Sequence, residues 1–195
     1  DRFYQYAQVL LKETSFTEAM IATFSAVLAS PEFLFQCSQP GKLDDFALAE
    51  RLSFFLGESM PDETLSKLAR TGNLRDAGNL KKQVDRLIDK PEFNRFVREF
   101  LNSWLKLDEI NDTDPDRELY PEYAGDWWLV SSMVKESQLF FADLIVNNRP
   151  ASGLIDSDYT FLDERLARHY GVDGLRGPIF KRTKLPPQSP YGGIL

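Results

Sequence analysis

The predicted fold is decided by the stretch from Asp126 to Gly171, which reads DWWLVSSMVKESQLFFADLIVNNRPASGLIDSDYTFLDERLARHYG. Its apolar side chains recur every three or four residues as far as Ile145, the spacing that places them on one side of an α-helix. Asp126 can cap the start of this helix, and Pro150 forces the chain out of helical geometry at its end. Thr160 is predicted to cap a second helix, which ends at Tyr170 and Gly171. About twenty helical residues span ~30 Å, so this stretch predicts the central helix of a helical domain.

The composition is that of a globular protein with one substantial core. The chain has 195 residues, of which 43% are hydrophobic and 13% aromatic, enough for one domain or two small ones. A net charge of −7 argues against nucleic acid as a partner. The longest uncharged run considered, Ala19 to Pro31, is too short for a membrane helix, so no membrane insertion is expected.

The rest of the chain repeats the helical pattern. Ser15 and Glu18 have the spacing of a capping box, Asp44 or Asp45 and Asp76 can cap further helices, and Pro61 and Pro91 suit first helical turns. No segment alternates as a sheet strand does. The sequence therefore predicts an all-α fold: a single multi-helix, bundle-like domain with a long central helix and an irregular C-terminal tail containing at most short strands. Trp104, Phe140 and Phe141 lie on apolar stripes and are predicted to be buried.

The residues that carry metal and redox chemistry are scarce. Cys37 is the only cysteine and His169 the only histidine, which excludes an internal disulfide, a CxxCH haem attachment and a Cys/His zinc cage. Cys37 is interpreted as a small buried hydrophobe, and His169 as a structural residue at a helix end. The loop Asp112–Asp116 begins like a calcium loop, but Arg117 and Tyr123 occupy the positions where an EF-hand needs Gly and Glu. An irregular calcium site there stays open, and no catalytic, cofactor-binding or metal-binding residue is assigned.

Two other features have a functional and a structural interpretation. Paired carboxylates could imitate a glycosidase pair, but most of them fall at predicted helix starts, where capping explains them. Trp127 and Trp128 could stack on sugars, although on a helix they point about 100° apart and at least one should be core. The tail is locally basic, which suits either an acidic partner or simple solvation.

Several segments together resemble a known family. They are VLASPEFLF (27–35), LAERLSFFL (48–56), SMPDE (59–63), YTFLDERLARHYG (159–171) and the closing GGIL (192–195). The chain resembles the domains of unknown function found in large planctomycete-type surface proteins that also carry c-type cytochrome domains. The family has no established activity or catalytic residues to carry over.

The resemblance implies a domain organisation and a location. Residues 1–40 resemble the helical end of a preceding family module, packed on the main domain at 41–185, and residues 186–195 resemble the truncated start of a following module that carries haem. Export to the periplasm or cell surface is implied, with haem c in the neighbouring domain and no cofactor in this chain.

The leading functional hypothesis is a non-catalytic helical scaffold or interaction module of an exported, cytochrome c-associated multidomain protein. The alternatives are an accessory part of a redox or polysaccharide-degrading enzyme assembly, and a glycan-binding module. The partner expected is the adjacent haem-bearing domain of the same polypeptide, and the tail is predicted to owe its order mainly to that contact. The candidate docking surface comprises Arg176, Phe180, Lys181, Arg182, Lys184 and Leu185.

Overall fold

A computed structural model describes residues 2–35, 41–112, 115–123, 126–187 and 189–194. Its helices are α1 (Arg2–Leu10), α2 (Phe16–Leu28), α3 (Pro31–Leu34), α4 (Asp45–Gly57), α5 (Glu63–Arg70), α6 (Ala77–Ile88), α7 (Phe93–Leu105), α8 (Trp127–Val146) and α9 (Glu164–His169). Short 3₁₀ turns lie at Leu107–Glu109, Pro121–Tyr123 and Ala151–Leu154. Two strands, β1 (Tyr159–Leu162) and β2 (Lys181–Lys184), form a small sheet. The prediction of a mainly all-α domain is confirmed.

Side-chain caps explain where most helices begin. The Ser15 side chain accepts from the backbone N–H of Glu18, whose carboxylate accepts in return from Ser15, so the predicted capping box is present. Asp76 and Asp126 cap α6 and α8 as predicted, and Asp44 rather than Asp45 caps α4. Each cap satisfies an N–H group that the first helical turn leaves unpaired.

The predicted cap at Thr160 is wrong. Thr160 lies in β1, and Asp163 caps α9 by accepting a hydrogen bond from the backbone N–H of Leu166 at 2.8 Å. The run Tyr159–Leu162 contains β-branched and aromatic residues that suit a strand, and the helix begins only where a carboxylate follows it. Pro61 likewise precedes the cap Asp62 of α5 instead of lying in its first turn.

The long helix α8 lies between the main cores of the domain. Phe141 joins a large cluster built from α4 to α7, in which Leu65, Leu74 and Leu101 are fully buried. Phe140 belongs to another cluster with Tyr159 of β1, and Leu129 contributes to a third with α9. The central position predicted for α8 follows from these contacts on several of its sides.

Of the three aromatic residues that were predicted to lie in the core, two are buried and one is not. Phe140 and Phe141 are 1% and 8% exposed, as predicted. Trp104 is 41% exposed, so its predicted burial is wrong. It lies next to the last residue of α7. Its ring contacts the rings of Phe100 and Phe141, with centroid separations of 5.9 and 6.4 Å, and the rest of the ring is exposed to solvent.

The C-terminal tail contributes to this domain's own core. Strand β2 pairs antiparallel with β1, with Tyr159 opposite Lys184 and Leu162 opposite Lys181. Beyond the strand, Leu185 is buried, and Ile194 donates its backbone N–H to Leu154 at 2.8 Å while its side chain packs against two clusters. The expectation that a neighbouring module mainly orders the tail stays a prediction. The predicted boundary at residue 186 stays a prediction.

Gly193 provides a test of this tail packing. Its φ of +84° is strained for other residues, and an added Cβ would lie 2.6 Å from the carbonyl oxygen of Leu154. Backbone strain alone should lower the free energy of unfolding of Gly193→Ala by about 1–3 kcal/mol. The close approach to Leu154 should add to this loss and speed amide exchange at Ile194. Gly174→Ala is the matched control, since its φ is +93° with no atom near the added Cβ. Equal losses of stability and unchanged exchange at Ile194 would show that the close approach is unimportant.

The N-terminal helices form a separate packing unit. The seam between α1 and α2 is made by small side chains, with Ala7, Ala19 and Thr23 buried. Arg2 of α1 pairs with Glu32 of α3 at 3.1 Å. None of residues 2–35 belongs to the three hydrophobic clusters described above. No helix in the described part of the chain has the length and hydropathy needed to cross a membrane.

Candidate functional site

The predicted docking residues lie on and beside β2, and the name "β2 face" is used here for the exposed cations Arg176, Lys181, Arg182 and Lys184. Lys181, Arg182 and Lys184 make no ion pair within the described ranges. The backbone N–H of Gly177 donates to the Glu164 carboxylate at 2.7 Å and is the main reason that the pKa of Glu164 is lowered; the charges of Arg168 and Arg176 lower it further. Because side chains alternate along a strand, Arg182 and Lys184 lie on one side of the sheet and Lys181 on the other. The β2 face is thus a basic patch around an exposed strand of an acidic protein.

The apolar members of the predicted docking surface are used inside the domain. Leu185 is 5% exposed, and Phe180 is half-buried against the cluster that contains Leu162 and Leu166. Leu185 is therefore not available as the apolar anchor that the sequence predicted, and Phe180 is available only in part. Ile179, at 71% exposure, is the large apolar side chain that this region presents to solvent.

A carboxylate behind the sheet fixes the position of the β2 face. Asp143 of α8 accepts hydrogen bonds from Arg149 Nε at 2.6 Å and from the Tyr159 hydroxyl at 2.8 Å. Burial alone would raise the pKa of Asp143, but the bonds from Arg149 and Tyr159 outweigh it and hold that pKa below its ordinary value. Asp143 therefore stays ionised and ties β1 to α8.

Arg182 extends this network to the surface. Its guanidinium carbon lies 3.7 Å from the centroid of the Tyr159 ring, and that of Arg149 lies 5.3 Å from the same ring. Guanidinium groups in such positions are attracted by the ring's electrons. One exposed cation of the β2 face is consequently held in place through Tyr159 and Asp143.

A second polar cluster lies around Glu136, in the middle of α8. Its carboxylate accepts from Thr160 Oγ1 at 2.5 Å and from the Tyr170 hydroxyl at 2.7 Å. Burial raises the pKa of Glu136, and the charge of nearby Asp163 adds to the effect, while the two hydrogen bonds oppose it. Burial and the Glu136 carboxylate also raise the pKa of Tyr170 well above its ordinary value. The ring of Tyr170 stacks on Tyr191 of the tail at 4.1 Å.

Glu136 and Asp163 are the pair of carboxylates with the best claim to acid–base chemistry. Opposed carboxyl environments are a feature of many hydrolases. Here, however, Asp163 is engaged by the Ser132 hydroxyl at 2.7 Å and by the cap of α9. Glu136 is engaged by Thr160 and Tyr170, and it does not line the pocket that Asp163 borders with α9. The arrangement favours a structural network that joins α8, β1 and α9.

The sequence did not single out Glu136, although a signal was present. Glu136 follows Met133 by three residues and precedes Phe140 by four, so it interrupts an apolar helical stripe. A carboxylate in such a stripe needs buried donors, and Thr160 and Tyr170 supply them.

The other residues that the sequence analysis considered for metal or redox chemistry either pack against neighbouring side chains or lie outside the described residues. His169 is half-buried with its ring edge-on to Tyr123, at 5.7 Å and 81°. Cys37 lies outside the described residues, as do Thr113 and Asp114 of the acidic loop. Among the residues that are described, no group of three or more His, Cys, Asp or Glu could hold a metal ion.

The interpretation of the tryptophan pair stays partly open. Trp128 is 59% exposed, whereas the side chain of Trp127 lies outside the described part of the structure. The prediction that at least one of the two is core is therefore not tested.

An apolar groove on α4 was not predicted. It has a volume of about 590 Å³ and is called the α4 groove; its lining residues are Leu43, Leu48, Arg51, Leu52, Phe54 and Phe55. The ring of Phe55 is 4.9 Å from that of Phe96 on α7. The signal was a second stripe on α4, because Leu48, Leu52 and Phe55 have helical spacing beside the buried stripe of Ala49, Ser53 and Leu56.

Comparison with known proteins places the chain in a family without an assigned activity. No curated protein matches the chain at a significant level, and no solved structure does. Residues 43–172 match the sequence model of the PSD4 family, described as a protein of unknown function (DUF1592). The matched range runs from the edge of the α4 groove, through α8 and β1, to the end of α9. Because it covers well over half of the sequence, the chain belongs to the PSD4 family of proteins of unknown function (DUF1592).

Proposed function

We propose that this chain is a helical scaffold and interaction module of an exported, cytochrome c-associated multidomain protein. Its β2 face docks against an acidic surface, and the partner is a haem-bearing domain of the same polypeptide, whose haem propionates or carboxylates meet the cations. The observation that carries the proposal is the patch of exposed cations around β2 in a protein of net charge −7. Cations without ion-pair partners on a rigid strand lose little conformational freedom when a carboxylate surface approaches.

The rigidity of the patch supports this function. Backbone pairing with β1 fixes the alternation of side chains along β2. The contacts of Tyr159 with Asp143 and Arg182 then tie the sheet to α8. Charges held in this way steer encounter and set orientation more than they add affinity. Ile179 is the apolar side chain beside the patch that a partner can cover.

The two alternative functions receive less support from the described residues. Glycan binding favours exposed rings that lie in one plane, but Tyr120 and Tyr123 meet edge-on at 85°, and Tyr170 and Tyr191 stack on each other. An enzymatic role needs carboxylates that face an open cleft, whereas Glu136 is enclosed by its donors. Docking of a partner therefore accounts for more of these observations than glycan binding or catalysis does.

The test is a binding measurement between this chain and the separately produced haem-bearing domain. Isothermal titration calorimetry at two salt concentrations should show binding that weakens as salt rises. The variant Lys181→Glu/Lys184→Glu should bind about tenfold more weakly, the size of effect expected when charges at the edge of an interface are reversed. Lys67→Glu/Lys82→Glu, on α5 and α6, makes the same change in net charge at exposed positions elsewhere.

Two outcomes would contradict the proposed function. One is an equal loss of affinity in both double variants, which would reflect net charge and not the β2 face. The other is binding of the unchanged chain that does not respond to salt, because an electrostatic contact must weaken when it is screened.

A further inference from the structure

A cavity of about 700 Å³ lies between the carboxyl-terminal ends of α6 and α8 and is called here the α6–α8 cavity. Its apolar floor comes from α8 and from the 3₁₀ turn that follows it, and consists of Phe141, Leu144, Ile145 and Leu154. None of its lining residues belongs to the β2 face or lines the α4 groove. Cavities of about 300–1,000 Å³ with an apolar lining and a few polar groups are typical binding sites for small molecules.

The charged side chains at the rim of the cavity leave a negative charge in excess. Lys81 Nζ pairs with Asp85 at 2.7 Å, so these two rim charges cancel. Arg149, the other cation of the rim, pairs through Nε at 2.6 Å with Asp143, which does not itself line the cavity. Asp89 is also on the rim and has no ion pair among the described residues. The uncompensated charge at the rim is therefore the carboxylate of Asp89.

The ends of the two helices add to this negative potential. Asp89 is the residue that directly follows α6. At the end of α8, the backbone N–H of Asn148 donates to the carbonyl of Ile145, and that of Arg149 donates to the carbonyl of Leu144 at 2.8 Å. These are the two bonds of a Schellman motif. The carboxyl end of a helix carries partial negative charge and attracts cations, and both helices end at this cavity.

We propose that the α6–α8 cavity binds a small organic amine that carries an apolar group about the size of an aromatic ring. The apolar group lies against Phe141 and Leu144, and the ammonium lies at the rim near Asp89. An ammonium group has only donors, which suits the carboxylate of Asp89 and the amide oxygen of Asn148 on the same rim. A carboxylate ligand of the same size is disfavoured there, because both cations of the rim are engaged in ion pairs. This site is independent of the β2 face, so its failure would leave the proposed function untouched.

The test is an NMR titration of the whole chain with 2-phenylethylammonium, followed through the methyl signals of Leu144, Ile145 and Leu154. We expect shifts of these signals that saturate as the amine is added. The anion 3-phenylpropionate has the same ring on a chain of similar length, and it should bind at least about tenfold more weakly. The neutral 2-phenylethanol should bind with an affinity between those of the two ions.

Variants of the rim separate the role of charge from that of shape. Asp89→Asn should weaken binding of the amine by about twofold to fivefold, the effect of one exposed ion pair, and leave binding of 2-phenylethanol unchanged. Asp108→Asn makes the same charge change at an exposed position outside the cavity and should leave both affinities unchanged. Val146→Trp, at a rim position that is 47% exposed, should cover the opening and remove the methyl shifts. Val9→Trp on α1, where Val9 is 54% exposed, should leave them intact.

Three results would overturn the proposal. The first is the absence of saturable methyl shifts when the amine is added to the unchanged chain. The second is equal affinity of that chain for the amine and for 3-phenylpropionate. The third is an Asp89→Asn variant that binds the amine as the unchanged chain does, or that loses affinity for the amine and for 2-phenylethanol equally. The comparison of ligands on the unchanged chain does not depend on the folding of any variant.

Discussion

Replacing Phe140 by alanine is expected to lower the free energy of unfolding by about 3–5 kcal/mol, the range for a large aromatic removed from a core. Phe140 is 1% exposed and lies on α8, with its ring 5.2 Å from that of Tyr159. The cavity would open between α8 and β1, where Leu144 and Tyr159 are held in place by other contacts and cannot fill it easily. Urea unfolding followed by circular dichroism measures the loss.

Phe46→Ala is the matched control for this prediction. Phe46 is also a helical phenylalanine, but it is 55% exposed, and surface substitutions usually change stability by about 0.5 kcal/mol or less. If Phe140→Ala cost as little as Phe46→Ala, the position of α8 between the clusters would be wrong. The contrast between the two variants also separates loss of packing from loss of helix propensity.

Local signals in the sequence predicted the helices well. Ser15, Asp76 and Asp126 are short polar side chains placed just before apolar periodicity, and each caps a helix because the unpaired N–H groups of a first turn need such an acceptor. Phe140 and Phe141 were placed correctly because α8 packs on several sides, so neighbouring positions on the helix can both be buried.

Features that depend on distant partners could not be predicted in the same way. The strand Lys181–Lys184 consists of KRTK, whose composition does not identify a strand; its pairing with Tyr159–Leu162 creates it. Trp104 has the spacing of a core residue, but it lies next to the last residue of α7 and is 41% exposed. Leu185 was assigned to an outer surface because nothing local shows that its backbone N–H donates to Asp158, at 2.8 Å.

The polar clusters around Glu136 and Asp143 could not be predicted from the sequence, because their partners come from distant parts of the chain. Glu136 was detectable as a carboxylate within an apolar stripe, but its donors come from β1 and α9, far along the chain. The link from Asp143 through Tyr159 to Arg182 joins three elements. Tertiary structure, and not periodicity, determines which carboxylates are buried and which cations stay exposed.

Replacing Asp163 by alanine is expected to lower the free energy of unfolding by about 2–4 kcal/mol, because two separate contributions are lost. The cap of α9 accounts for about 1 kcal/mol. The rest comes from Ser132, whose buried hydroxyl donates to Asp163 at 2.7 Å and would be left without its acceptor; such an orphaned group costs about 1–3 kcal/mol. Urea unfolding again measures the change.

Two comparisons separate these contributions to the stability. Asp44→Ala removes an exposed cap whose side chain, among the described residues, accepts a hydrogen bond from the backbone N–H of Ala47, so it should cost about 1 kcal/mol. Ser132→Ala introduced together with Asp163→Ala removes the orphaned hydroxyl and should recover part of the loss. The double variant should therefore lose less stability than the sum of the losses of the two single variants. If Asp163→Ala cost no more than Asp44→Ala, or if the two losses were simply additive, the hydrogen bond between α8 and the start of α9 would contribute nothing to stability.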